Sequence, residues 1–150
     1  MAAFAEITPI AISDMNTFTK EAASETRGTV LATNGETTAT FGAYFTMDGK
    51  DEQYLVLVEN GDTDGVTDLT VTVKAGNGIQ GVADLAKTDL GNGEFTLLQI
   101  DSGRFKNVTE NETLKALSSA VEETQVSAKG KVFITGTSAE IAVTVFKMVI

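Results

Sequence analysis

The chain reads as an all-β protein: an antiparallel β-sandwich of jelly-roll-like form, with an N-terminal arm and one short helical insertion. Three observations predict this. Leu69, Val71 and Val73 alternate with Thr70, Thr72 and Lys74, the period-two pattern of a strand with one buried face. Turn signals such as Asn34-Gly35, Asp48-Gly49, Gly93 and Gly136-Thr137-Ser138 recur at the roughly 8–12-residue spacing of sandwiches and barrels. Strands do not alternate with long amphipathic helices, which argues against a parallel α/β sheet.

Residues 1–28 form the arm or, alternatively, an ordinary first strand. They are rich in Ala, Thr and Ser and hold the only proline, Pro9. Thr8, before it, is pushed toward extended backbone. Residues 29–150 are the sandwich domain. Thr29 to Thr33 is a short strand, and Asn34-Gly35 is a two-residue hairpin signal because both positions tolerate positive φ. Thr37 to Thr46 follows, with Phe41, Ala43 and Phe45 sharing one face. Tyr54 to Glu59 is nearly all apolar, the pattern of a central strand covered on both faces. After the Asn60 to Thr67 loop comes the alternating Leu69 to Lys74 strand.

A glycine-rich stretch, with Gly76, Gly78 and Gly81, leads to a strand over Glu94 to Ile100 in which Phe95, Leu97 and Gln99 share a face. Asp101-Ser102-Gly103 reads as a turn and Arg104 to Val108 as an edge-like strand. The β rhythm then breaks over the insertion, residues 110–129. Leu114, Leu117, Ala120 and Val121 fall at helical spacing, and Asn111 is a candidate helix cap. Lys131 to Thr135 and Ile141 to Ile150 are the last two strands.

The 150 residues suit one domain and carry a formal net charge of −10. Such a surface is repelled by nucleic acid and by anionic membranes, since phosphate binding needs clustered Lys and Arg. No apolar run approaches the roughly 20 residues that span a bilayer. The N-terminus carries Glu6 and lacks a basic region, so it makes a poor signal peptide.

His and Cys are both absent. That excludes Ser-His-Asp and Cys-His nucleophile systems and zinc sites built from those ligands. Glu122-Glu123 and Asp51-Glu52 are sequence neighbours in polar segments, not carboxylates placed across a cleft. The reading is therefore not an enzyme, and no cofactor is expected. The loop from Asn60 to Asp68 places Asp62, Asp64 and Asp68 at calcium-loop spacing with Gly65 between, but Val71 stands where the bidentate Glu belongs. It reads either as a weak calcium site or as a solvated Asp/Gly loop. Gly76-Asn77-Gly78-Ile79-Gln80-Gly81 lacks the lysine and the spacing of a phosphate-binding loop and reads as a wide turn. Arg104, Phe105 and Lys106 are the one basic-aromatic cluster. They are candidate partner contacts, together with Ile79; the alternative is a plain edge strand guarded by Lys.

Tyr54–Asn60 (YLVLVEN), Val71–Leu85 (VTVKAGNGIQGVADL), Asp101–Val108 (DSGRFKNV) and Gly130–Gly136 (GKVFITG) together resemble a group of small β-rich structural proteins of tailed bacteriophages. The likeness runs from about Gly49 to the C-terminus, with the insertion as a departure and the first fifty residues outside it. It implies a β-sandwich that decorates the virion, bound to the major capsid protein on the outer capsid surface and made in the host cytoplasm. Homo-oligomer or lattice neighbours are the further partners it implies. Two other functions compete. One is another virion component, such as a tail-tube or head-fibre protein. The other is a carbohydrate-binding module, which wants exposed aromatics; with two Tyr, no Trp and Phe residues suited to core positions, the chain offers few.

Overall fold

The computed structural model describes residues 3–12, 28–35, 40–47, 53–61, 68–79 and 83–148. The described chain is mostly β. Its strands are β1 (Ala5–Glu6), β2 (Ile10–Ile12), β3 (Thr29–Val30), β4 (Ala32–Thr33), β5 (Phe41–Thr46), β6 (Gln53–Asn60), β7 (Leu69–Val73), β8 (Leu85–Leu90), β9 (Phe95–Ile100), β10 (Lys131–Gly136) and β11 (Ile141–Met148). Two short helices, α1 (Ser102–Phe105) and α2 (Glu112–Ser118), separate β9 from β10, with a 3₁₀ turn at Glu122–Thr124.

The strands form two sheets. In the first the order is β1-β5-β10-β7-β8, with β4 also on β5; in the second it is β2-β11-β6-β9, with β3 also on β11. Ile134, Val71, Val73, Ala43 and Phe45 from the first sheet and Val56, Val58, Val143, Val145 and Ile100 from the second belong to one buried cluster. Phe45 and Tyr54 meet across it, ring centroids 5.5 Å apart. This is the alternation of β5, β6, β7 and β11 expressed in three dimensions: one parity of each strand turns inward.

The N-terminal strands join the sheets. Residues 5–6 pair with β5 and residues 10–12 with β11, both in parallel, so Pro9 lies where the chain passes from one sheet to the other. Residues 13–27 of the expected arm lie outside the described residues. The single strand expected over residues 29–33 is two. Val30 pairs with Ala142 of the second sheet and Ala32 with Gly42 of the first. Leu31, 1% exposed, turns into the core at the crossing. A hairpin does follow at Asn34-Gly35, but its loop is longer than two residues, because the Asn34 amide donates to the Thr40 carbonyl at 3.1 Å.

Three further expectations change. Residues 104–108 are not an edge strand. Asp101 Oδ1 accepts from the Arg104 amide at 2.9 Å and caps α1, so the turn signal there starts a helix. A strand appears at β8, where LAKTDL carries little β propensity; pairing with β7 overrides it, across a register shift and with Asp89 at φ 56. Finally, β9 has the opposite facing from a core strand. Phe95 and Leu97 are 67% and 57% exposed, whereas Ile100 is fully buried.

The insertion has a definite task. Asn111 caps α2 as expected, its Oδ1 accepting from the Leu114 amide at 3.2 Å. Leu114 and Ala128 pack with Phe4, Tyr44 and Phe133 into a second, smaller core. Phe133 and Tyr44 lie on the face of the first sheet turned away from the main cluster, so the insertion and Phe4 cover that half of the sheet. Glu110 closes the insertion. Its carboxylate accepts from the Ser127 hydroxyl and the Ala128 amide, each at 2.6 Å. Those bonds hold its carboxyl below the usual carboxylate range.

Candidate functional site

The residues singled out from sequence separate in space. Asp62 and Asp64 lie outside the described residues, and Asp68 is exposed at the start of β7. Among the described residues no group of three or more acidic side chains is placed to hold a metal ion. Ile79 projects fully into solvent, Arg104 is exposed and Lys106 half-buried. Phe105 is 0% exposed and belongs to the main core, so it is not a contact residue. The Arg104 guanidinium carbon sits 4.9 Å above its ring centroid. The three residues therefore do not form one exposed cluster: the Phe105 ring is in the core, and Lys106 lies past the end of α1 in extended backbone.

The glycine-rich loop and the GRFKN stretch do meet, but as structure rather than as a docking patch. A Cβ on Gly76 would lie 2.2 Å from the Lys106 carbonyl oxygen, so only glycine admits this approach. Asn77 Oδ1 accepts from the Val108 amide at 2.8 Å while its Nδ2 donates to the Thr109 carbonyl at 3.0 Å. Asn107, buried, donates its Nδ2 to the Lys131 carbonyl at 3.0 Å. Residues 76–77, 106–109 and Lys131 thus converge on one hydrogen-bonded junction.

The surface that sequence reasoning missed lies on the second sheet. On the face turned away from the core, Leu55 and Leu57 of β6 stand opposite Gln99 and Leu97 of β9, and Glu59 stands opposite Phe95. Leu55 and Leu57 are half-buried beside the exposed Phe95 and Leu97. Val30 on β3 and Ile10 on β2, also exposed, lie on the same face at the opposite edge, paired with Ala142 and Phe146. The run YLVLV, expected to be covered on both faces, is fully buried at Tyr54, Val56 and Val58 on its inner face and only half-buried at Leu55 and Leu57 on its outer one. Beside the β8–β9 turn, Asn60 N donates to Glu94 O at 2.9 Å and sets the register of β9 against β6, a contact between residues far apart in the sequence.

The first sheet offers a second feature. Thr40, Thr70, Thr72, Thr135 and Thr137 line a shallow open depression of about 350 Å³ on the half of its outer face that the insertion leaves uncovered. The Thr137 hydroxyl accepts from the Thr70 amide at 3.1 Å. The lining holds hydroxyls and no titratable group, so it can hydrogen-bond a polar ligand but supplies no acid or base. Among the described residues no helix is long and apolar enough to cross a membrane. No family model matches this chain, and neither a curated protein nor a solved structure matches it.

Proposed function

We propose that this chain is a virion structural protein, a jelly-roll-like β-sandwich that binds the outer surface of a phage capsid and stabilises it. The observation that carries the reading is the outward apolar face around Phe95 and Leu97. Exposed apolar surface gathered on one rigid sheet favours a protein partner over a nucleic acid or a small charged substrate. The partner is the major capsid protein, the location the virion surface, and the site of synthesis the host cytoplasm. The resemblance of the junction segments to phage head proteins supports the same reading, and so does the acidic remainder of the surface, which keeps coated particles apart. Individually weak contacts suffice, because a capsid lattice presents many linked sites. The test is to add the purified chain to particles that lack it and to follow binding and breakage temperature. The expected result is saturable binding and a higher breakage temperature. Absence of both refutes the proposal.

One observation favours a second reading, a carbohydrate-binding module. Phe95 is an exposed aromatic of the kind that stacks on sugar rings. A glycan array without hits removes it.

A further inference from the structure

Two strands end the sheets on the same side of the molecule, and they are treated differently. β8 carries Lys87 and Asp89, has a register shift against β7, and holds Asp89 at positive φ. Charge and irregularity of this kind block pairing with another chain. β9 (FTLLQI) contains no charge and no proline, and its ladder with β6 is regular over all six residues. No described strand pairs with its other edge.

The hydrogen-bond phase of that edge follows from the ladder. Asn60 N donates to Glu94 O, which sets the phase so that residues 96, 98 and 100 exchange bonds with β6. In an antiparallel pair the alternate residues point their amides and carbonyls the other way. Phe95, Leu97 and Gln99 therefore aim their backbone groups at the open edge, and these same residues place their side chains on the apolar outer face.

We propose that β9 pairs with β9 of a second copy of this chain, antiparallel about a two-fold axis at Leu97, so that the two second sheets become one continuous sheet. Leu97 then faces its own counterpart, and Phe95 faces Gln99 of the partner in both directions. Every backbone group the edge presents finds its complement, and the two outer faces stay on the same side. The register is self-consistent because an isologous contact must match residue i to j and j to i. The strand itself carries no charge, so two copies set no like charges opposite each other across the ladder, and a basic partner would find no carboxylate on β9 to pair with. The inference goes beyond capsid binding and does not depend on it.

The test uses the full chain. Sedimentation velocity between about 1 and 200 µM follows the oligomeric state, since a self-association is concentration-dependent. Amide hydrogen exchange is read at both ends of that range. The expected result is a monomer–dimer equilibrium in which the amides of Phe95, Leu97 and Gln99 slow by about tenfold or more on concentration, while those of Thr96, Leu98 and Ile100 are unchanged. Leu97→Lys sets two ammonium groups opposite each other at the axis and weakens the dimer by about tenfold or more, whereas Thr88→Lys on β8 has no effect. A chain that is monomeric at the highest concentration overturns the proposal. So does an odd-numbered oligomer, or a dimer whose protection falls outside β9. The exchange pattern of the unsubstituted chain decides the matter even if Leu97→Lys fails to fold.

Discussion

Phe105 and Phe95 stand ten residues apart in similar sequence surroundings, and the structure gives them opposite consequences. Phe105→Ala removes a fully buried ring from the main core. Such a change costs about 3–5 kcal/mol, from lost transfer energy and the cavity left behind. The contact with the Arg104 guanidinium, 4.9 Å from the ring centroid, adds about 0.5–1 kcal/mol. Phe95 is 67% exposed, so about a third of its side chain is withdrawn from water. Full burial of a Phe is worth about 1.5–3 kcal/mol, so Phe95→Ala costs about 0.5–1 kcal/mol. A domain of this size has roughly 5–15 kcal/mol in all. Phe105→Ala is then expected to lower the melting temperature by roughly 7–24 °C, and Phe95→Ala by roughly 1–4 °C. The assay is urea unfolding followed by circular dichroism at about 1 µM, a concentration low enough to suppress self-association. The reasoning is refuted if Phe105→Ala costs under about 1.5 kcal/mol, or if Phe95→Ala costs the more of the two.

Other expectations follow from single contacts. Glu110 has its folded-state pKa lowered, chiefly by the Ser127 hydroxyl and the Ala128 amide, so its contribution is present above the ordinary glutamate range and is lost as pH falls through the lowered value. The stability difference between wild type and Glu110→Gln should accordingly vanish in acid, and a difference that grows in acid contradicts the clamp. Gly76→Ala places a Cβ against the Lys106 carbonyl and should abolish soluble folding or cost more than about 3 kcal/mol, whereas Gly93→Ala, with open space but φ +71, should cost about 1–2 kcal/mol in denaturant melts. Asn34→Ala strips the Leu117 carbonyl of a 2.9 Å partner in a buried site and should cost about 1–3 kcal/mol, read by the same melts. Millimolar calcium should leave the melting temperature unchanged; a clear rise, lost in Asp68→Asn, would revive the metal reading of the Asn60 to Asp68 loop.

The sequence by itself determined the local terms. Alternation along Leu69–Val73 named the residues that share a face, and Ala43 and Phe45, predicted to share one, are buried together. The Asn111 cap and the helical spacing after it located α2 because capping is a matter of a few adjacent residues. Only tertiary structure decided which face of β9 turns inward, since alternation fixes a parity and not a direction. It also decided that residues 29–33 split between two sheets, that polar LAKTDL becomes β8, and that Phe105 sinks into the core while Ile79 stands free. Each of those outcomes depends on partners far along the chain, and no local pattern encodes where a distant strand will lie.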